Sequence, residues 1–198
     1  MAKWSEDKLD AALSPEAVVI ATGSLPRVPY DIPGLDLPHV VQGWDVLSGK
    51  AQTGDRVAII SQEDYYETPC VAEYLSAQGK QVTVFSKSVH LGFEIARYSI
   101  GMVLLRMEEC GVEVHPNLVL NAVREDGFEL RSAYADITYQ KEGFDSVVLV
   151  YGSVAQHALY DELKADGSIG ELYVAGSAWL PRFMAEATQH GASIGLAI

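Results

Sequence analysis

The sequence has little cysteine and no apolar run of membrane-spanning length. Its 198 residues include only two cysteines, Cys70 and Cys110. Both fall in predicted helices without a histidine at ligand spacing, which argues against a disulfide scaffold and a metal site. We therefore expect two buried, reduced thiols. The N-terminal Met1–Trp4 leads directly into a charged stretch, so we expect no signal peptide and a cytoplasmic protein.

Positive charge is also scarce. Lysine and arginine total 14 against 27 aspartates and glutamates, which gives a net charge of −13 at pH 7. Nucleic acids and anionic membranes attract basic patches, so neither is an expected partner. The acidic surface suits a basic protein partner, although solubility alone also explains it. The apolar fraction of 48% is enough for a hydrophobic core in one domain or two small ones.

Glycine is missing from one turn where a dinucleotide-binding unit needs it. Arg56–Ile60 and Val82–Phe85 are short apolar runs typical of buried parallel strands. Val71–Gln78, between them, has a helical apolar pattern that stops at Gly79. The order strand, loop, helix, strand predicts a βαβ unit of the mononucleotide-binding type.

The loop of this unit carries acids and an aromatic residue instead of glycines. Ser61, Glu63 and Tyr66 occupy the positions of the three glycines in the pyrophosphate fingerprint. Glu63 and Asp64 would place carboxylates against phosphate oxygens. The local residues leave two interpretations open: a dinucleotide site that has been lost, or an α/β domain that never had one.

Two further features of the sequence argue against a dinucleotide at this turn. Pro69 favours a first helical turn, so Thr68 is the expected N-cap and the helix dipole would start away from a phosphate. The second strand ends in Ser86 and Lys87, where an acid would take a ribose hydroxyl.

Apolar periodicity and turn residues predict the other elements. The predicted strands are Ala17–Ile20, Val112–Val114, Leu118–Val123, Gly127–Ser132, Ala135–Tyr139, Ser146–Tyr151 and Leu172–Ala175. The predicted helices are Ser5–Leu13, Glu94–Glu109 and Pro181–Leu196, with Ala155–Lys164 as a helix or linker. The apolar side chains expected to face the core from the middle helix are Ile95, Met102, Leu105 and Met107. Leu25–Pro38 is predicted as a loop, and His39–Gly49 as a short strand and a helical turn.

These elements predict an α/β fold with two domains. Residues 55–151 form a Rossmann-like three-layer domain with a parallel sheet and a β-meander. The segments 1–54 and 152–198 supply strands that cannot bury both faces of a parallel sheet by themselves. We therefore interpret them as part of a second domain whose remainder is missing.

Several segments carry a family resemblance. Val18–Arg27 with Ile32–Gly34 resembles the crossover that leaves the FAD-type domain of two-dinucleotide-domain flavoproteins. Phe144–Gly152 resembles the return crossover, and Leu172–Ser177 with Pro181–Thr188 resembles the closing strand and helix of that domain. The group is that of trimethylamine dehydrogenase, histamine dehydrogenase, N-methylproline demethylase and 2,4-dienoyl-CoA reductase. The amine dehydrogenase branch is the more similar one.

The resemblance implies a larger parent oxidoreductase. Its members carry an N-terminal TIM barrel with FMN and a 4Fe–4S cluster, so this chain would be a C-terminal portion that is not catalytic alone and packs against that barrel. Within this family, a lost NAD(P) site becomes the favoured interpretation, and FAD or ADP would bind at a site shared with the missing part. Ser177 stands where FAD-binding relatives have an aspartate, which favours ADP or no nucleotide. The cofactor-binding residues that the resemblance implies are Thr22, Gly23, Arg27, Gly176, Ser177 and Arg182.

Two alternative functions are an active NAD(P)H-dependent reductase domain and a docking module for an electron-transfer protein. A homo-oligomer is compatible with either. No catalytic or metal-ligating residues are predicted, since the five histidines share no metal spacing.

Overall fold

A computed structural model describes residues 15–167 and 169–198. The chain divides into two compact units: Pro26–Gly152, and Met1–Leu25 together with Ser153–Ile198. Residues 26–54 cluster with the larger unit, whereas the sequence-based boundary was placed at residue 55. The helix predicted for Ser5–Leu13 lies outside the described residues.

The regular elements follow the predicted order. The strands are β1 (Ala17–Ile20), β2 (Ser24–Pro26), β3 (Val40–Gln42), β4 (Arg56–Ser61), β5 (Gln81–Ser86), β6 (Glu113–His115), β7 (Leu118–Arg124), β8 (Gly127–Ser132), β9 (Thr138–Glu142), β10 (Ser146–Val150), β11 (Ser153–Ala155) and β12 (Glu171–Val174). The α-helices are α1 (Gly43–Leu47), α2 (Glu67–Ser76), α3 (Arg97–Glu109), α4 (Ala158–Asp166) and α5 (Met184–Gly195), with a 3-10 helix at Gly176–Ala178.

The larger unit is built on a five-stranded parallel sheet in the order β3-β10-β4-β5-β6. Successive side chains of a strand point to opposite faces of its sheet. From β4, Val57 and Ile59 enter the core formed with α1, α2 and α3. Ala58 and Ile60 enter a second core that contains residues of β7 and β8. These three layers confirm the predicted α/β class with a parallel sheet and a β-meander.

The β-meander is an antiparallel sheet of β7, β8 and β9. Phe128 and Leu130 of β8 are fully buried and pack toward Phe85 of the parallel sheet, with Phe85 and Phe128 ring centroids 5.4 Å apart. The loop before β3 reaches the meander at Gly34, which has a φ of +84°. A Cβ at Gly34 would lie 2.1 Å from the carbonyl oxygen of Val123, so only glycine fits there.

The smaller unit contains a parallel pair, β1 and β12, in which Val18 is opposite Leu172. Val18 and Ile20 pack with Leu163 of α4. β2 and β11 form another two-stranded sheet. Within the described parts of the chain, no helix is both long and apolar enough to cross a bilayer.

Three local expectations are wrong. α2 begins at Glu67 with Tyr66 as its N-cap, so Thr68 is not the cap and Pro69 is the third helical residue. Proline is tolerated there because the first-turn N–H groups have no partner inside the helix. The other two errors concern α3 and the thiols.

Of the four residues predicted to face the core from this helix, Ile95 and Met107 are buried, but Met102 and Leu105 are not. Met102 and Leu105 are 57% and 44% exposed, whereas Val103 and Met107 are 3% and 2% exposed. Both cysteines are free thiols, as expected, but they are exposed rather than buried.

Candidate functional site

The turn between β4 and α2 holds a carboxylate at the helix N-terminus. Glu63 Oε1 accepts a hydrogen bond of 2.8 Å from the backbone N–H of Thr68, and Glu63 Oε2 accepts one of 2.7 Å from that of Tyr65. The first-turn N–H groups of a helix carry a partial positive charge and bind anions. The side chain of Glu63 is therefore an internal anion at the place where a dinucleotide-binding unit receives its pyrophosphate.

A buried hydroxyl pair fixes the turn below this carboxylate. Ser61 Oγ and Thr68 Oγ1 lie 2.7 Å apart, and both residues are fully buried. Ser61 Oγ also donates to the carbonyl oxygen of Glu63 at 3.1 Å. The end of β4 and the start of α2 are thus joined through polar groups rather than through the glycines of a phosphate-binding turn.

A second carboxyl lies close to the first. The pKa of Glu67 is raised to about 7, chiefly by burial and in smaller part by the nearby Glu63 carboxylate, while a hydrogen bond with Trp44 acts in the opposite direction. A Cβ added to Gly43 at the start of α1 would lie 3.5 Å from Glu67 Oε1, an ordinary contact distance, so α1 packs close to this carboxyl. Sequence analysis missed Glu67 because only the packing of α1 against α2 creates its environment.

Tyr151, directly after β10, is another buried polar residue that the sequence did not indicate. Burial and the Asp31 carboxylate raise its pKa above the ordinary value of 10. Its hydroxyl is buried without a hydrogen-bond partner among the described residues.

The geometry of this turn does not fit a pyrophosphate. A diphosphate on the α2 N-terminus would have to displace Glu63 from two backbone N–H groups and lie beside Glu67. The Glu63 and Glu67 carboxyls would repel the negatively charged diphosphate when ionised. Each charge-assisted hydrogen bond that Glu63 gave up would cost roughly 1.5–3 kcal/mol.

The smaller unit contains a cavity of about 360 Å³ beside α5. It brings together two of the predicted cofactor-binding residues, Gly176 and Arg182. The other residues that line it are Trp179, Leu180, Glu186, Ala187, Gln189, His190 and Ser193. Gly176 has a φ of +59° at the start of the 3-10 helix, a conformation that favours glycine. Arg182 is exposed, and a guanidinium is a side chain well suited to pair with a phosphate.

The remaining predicted residues lie elsewhere. Ser177 follows Gly176 in the 3-10 helix but does not line the cavity. Thr22 and Gly23 follow β1, where Thr22 Oγ1 donates to the carbonyl oxygen of Gln156 and the Gln156 N–H donates to Gly23 at 3.1 Å. Arg27 belongs to the larger unit, and its backbone N–H donates to Gly152 at 2.9 Å.

No cluster of three or more histidine, cysteine, aspartate or glutamate side chains suited to a metal ion occurs in the described ranges.

Comparison with known proteins gives one family and several relatives. The model of the family “OYE-like second alpha/beta domain” matches residues 41–150. A protein described as “Probable N-methylproline demethylase” from Rhizobium meliloti (strain 1021) is 31% identical over 85% of this chain and 25% of its own length. Dimethylamine dehydrogenase from Hyphomicrobium sp. (strain x) is 30% identical over 88% of this chain and 28% of its own length.

A solved structure agrees with these relatives. The complex of 2-naphthoyl-CoA reductase with 2-naphthoyl-CoA superposes with a TM-score of 0.83 and 32% identity, over 97% of this chain and 28% of that one. The chain thus spans about a quarter of the length of the curated relatives it matches. The resemblance to N-methylproline demethylase and the amine dehydrogenases is confirmed.

Proposed function

Since this chain belongs to the OYE-like second alpha/beta domain family, we propose that it is the C-terminal, nucleotide-binding-like portion of a larger oxidoreductase of the amine dehydrogenase or demethylase type. The parent enzyme would hold FMN and an iron–sulfur cluster in a catalytic TIM barrel. This portion would pack against the barrel and would not be catalytic by itself. The length of the relatives, about four times that of the matched segment, supports a larger parent.

The observation that carries this proposal is the position of Glu63. A reductase domain that takes hydride from NAD(P)H must hold the cofactor's diphosphate, and the α2 N-terminus is where this fold holds it. The Glu63 carboxylate occupies the first-turn N–H group of Thr68, at 2.8 Å, and the N–H group of Tyr65 in the turn before the helix, at 2.7 Å. The larger unit therefore serves as a structural module, and NAD(P) is not its ligand.

An adenine nucleotide, ADP or FAD, is proposed for the smaller unit. Gly176 and Arg182 line a cavity with His190 and Gln189. Arg182 would pair with a phosphate, and Gly176 would let the backbone approach the ligand. Thr22, Gly23 and Ser177 of the same unit are proposed as further contacts that the rest of the parent completes. The role of Arg27, which belongs to the larger unit, stays a prediction from the family resemblance.

Two measurements test these statements. Isothermal titration of the wild-type chain with NADH and NADPH is expected to show no binding, and micromolar binding would contradict the structural role of the larger unit. Absorbance and mass spectrometry of the purified chain test for ADP or FAD. If nucleotide is found, Arg182→Ala should remove most of it, and retention at the wild-type level would exclude this cavity as the site. If the wild type carries none and fails to bind added ADP, this chain's share of the nucleotide site is refuted.

A second proposed role is docking of an electron-transfer protein, which the net charge of −13 favours. Charge-driven binding weakens as salt screens the charges. A basic carrier should therefore bind at low ionic strength and dissociate at high ionic strength, and no binding at low salt would exclude this role.

A further inference from the structure

The larger unit has a cavity of about 310 Å³ at the amino ends of three neighbouring parallel strands. Its lining includes Arg56, which begins β4, Gln81 and Thr83 of β5, and Glu113, which begins β6. In the sheet register Arg56 is opposite Gln81, and Thr83 is opposite Glu113. Residues opposite one another, or two apart in a strand, project from the same face of a sheet. The four side chains therefore share one face, at the edge of the sheet away from the β4–α2 turn.

The two charged side chains of this set are not paired with each other. The Arg56 guanidinium lies 5.7 Å from the ring centroid of Phe144, and no ion pair joins it to any residue that the structure describes. The Asp145 carboxylate instead accepts a 2.7 Å hydrogen bond from the backbone N–H of Arg56. Glu113 Oε2 lies 3.9 Å from His115 Nε2, a pair that attracts only when the histidine is protonated.

Lys80 adds positive charge on the Arg56 side of the cavity. Its Nζ donates to the carbonyl oxygens of Thr53 at 2.7 Å and Gly54 at 2.9 Å. An ammonium group has three N–H donors, so one remains for a ligand. The cavity thus has a cationic side at β4 and an anionic side at β6, which suits a ligand that carries both charges.

The sheet geometry sets the distance between the charges of such a ligand. Arg56 and Glu113 are two strands apart and offset by two residues along the strands, so their Cα atoms lie about 12 Å apart. A hydrogen bond of about 2.8 Å at each end leaves about 6 Å between the two charged groups of the ligand. An extended chain of about four methylene groups spans this distance, whereas the two charged groups of an α-amino acid lie on one carbon.

We propose that this cavity binds a small zwitterion of the ω-amino acid class, with its carboxylate on Arg56 and its ammonium on Glu113. The Phe144 ring also lines the cavity and offers an apolar surface to the methylene chain. A volume near 310 Å³ is at the low end of the range of about 300–1,000 Å³ for ligand pockets, which suits a small molecule. Solvent-accessible ion pairs contribute little each, so binding is weak, in the millimolar range.

The two cysteines provide a test with an internal control. Both are exposed free thiols, and Cys110 lines the cavity whereas Cys70 does not. The full 198-residue chain is alkylated with iodoacetamide at constant ionic strength, and each thiol is followed by peptide mass spectrometry. We expect 5-aminovalerate at about ten times its Kd to slow Cys110 at least about threefold and to leave Cys70 unchanged. Equal slowing of both thiols, or no slowing of Cys110 up to about 100 mM, overturns the proposal.

Matched ligands test the need for two separated charges. Valerate lacks the ammonium, pentylamine lacks the carboxylate, and norvaline is the isomer of 5-aminovalerate with both groups on one carbon. Each should need at least about tenfold more ligand for the same protection of Cys110. Equal protection by valerate would show a plain anion site, and stronger protection by norvaline would refute the spacing.

A charge-removing variant tests the role of Glu113. Glu113→Gln should abolish the advantage of 5-aminovalerate over valerate, and unchanged protection by valerate would show that its cavity is intact. Glu125→Gln, which changes an exposed glutamate of the β7–β8 turn outside the cavity, should keep the advantage. An advantage that survives in Glu113→Gln excludes this carboxylate as the partner of the ammonium. The nucleotide site proposed for the smaller unit does not depend on either result.

Discussion

The carboxylate of Glu63 accepts a 2.8 Å hydrogen bond from the backbone N–H of Thr68, the second residue of α2. The same carboxylate accepts a 2.7 Å bond from the N–H of Tyr65. A side chain five residues upstream thus caps the helix that a phosphate caps in a working dinucleotide site. The Glu63 carboxylate repels a phosphate, and it also accepts the hydrogen bonds that a phosphate would accept at this helix.

Removal of this cap should destabilise the larger unit. Glu63→Ala leaves two N–H groups without their acceptor, and loss of a capping side chain typically costs about 1 kcal/mol. We expect a decrease of about 1 to 2 kcal/mol in the free energy of unfolding, measured by urea denaturation. Glu63→Gln keeps one acceptor oxygen and should lose less, while Glu94→Ala, at an exposed site, should change little.

The same variant should respond to anions. The vacated N–H groups in Glu63→Ala can bind sulfate or pyrophosphate, so millimolar pyrophosphate should raise its Tm more than that of the wild type. Equal shifts in both proteins would show that the Glu63 carboxylate does not occupy an anion position.

Glu67 should make the stability depend on pH. Its pKa is about 7 in the folded protein, against an ordinary value of 4.5. Between these values the folded state holds a proton that the unfolded state has released, so the free energy of unfolding falls as the pH rises from 4.5 to 7 and is level above 7. Because the side chain is partly exposed, we expect a loss of about 1 to 2 kcal/mol.

The variant Glu67→Gln should remove this dependence. The amide keeps an acceptor for Trp44 and carries no charge, so the variant should be more stable than the wild type at pH 8 and similar to it at pH 4.5. Urea titrations from pH 4.5 to 8 measure the difference, with Glu94→Gln as an exposed control. Parallel profiles for Glu67→Gln and the wild type would contradict the raised pKa.

The buried hydroxyls of Ser61 and Thr68 should be energetically coupled. Ser61→Ala leaves the Thr68 hydroxyl without its partner and should cost about 1 to 3 kcal/mol, whereas Thr68→Val leaves Ser61 Oγ bonded to the Glu63 carbonyl oxygen and should cost about 1 kcal/mol. The double variant should cost less than the sum of the two, because both single variants lose the same hydrogen bond. Additive effects in chemical denaturation would mean that their 2.7 Å contact contributes nothing.

Two glycines with similar backbones should respond differently to alanine. Gly34 and Gly49 have φ values of +84° and +73°. A Cβ at Gly34 would overlap the carbonyl oxygen of Val123, whereas one at Gly49 would meet no atom within 4 Å. We expect Gly49→Ala to cost about 1 kcal/mol and Gly34→Ala more than about 3 kcal/mol of stability. Similar Tm values for the two variants would refute the close approach at Gly34.

Most of the parallel sheet could be predicted because its strands are dense in apolar residues. The strands β4 and β5 were predicted within one residue at their ends, since Val, Ile and Phe runs bounded by turns suit buried parallel strands. Gly79 and Gly111 were correctly taken as helix stops, and both have positive φ.

The errors arise where a residue's role depends on distant parts of the chain. Thr68 looked like an N-cap because it precedes Pro69, but the cap is supplied by the Glu63 side chain across the turn. Met107 is buried as predicted, but Met102 and Leu105 have the polarity of core residues, and only the packing of α3 shows that Val103 is buried in their place. The raised pKa of Glu67 requires the contact between α1 and α2.

The central position of β10 has a consequence for synthesis. β10 lies between β3 and β4, and all five of its residues are buried, although it follows β4 by some eighty positions. During translation, the edges of β3 and β4 that pair with β10 keep their backbone N–H and C=O groups unpaired until β10 has been synthesised. Nascent chains halted before residue 146 should accordingly bind chaperones that recognise exposed strand edges, and release should follow once Ser146–Val150 has left the ribosome.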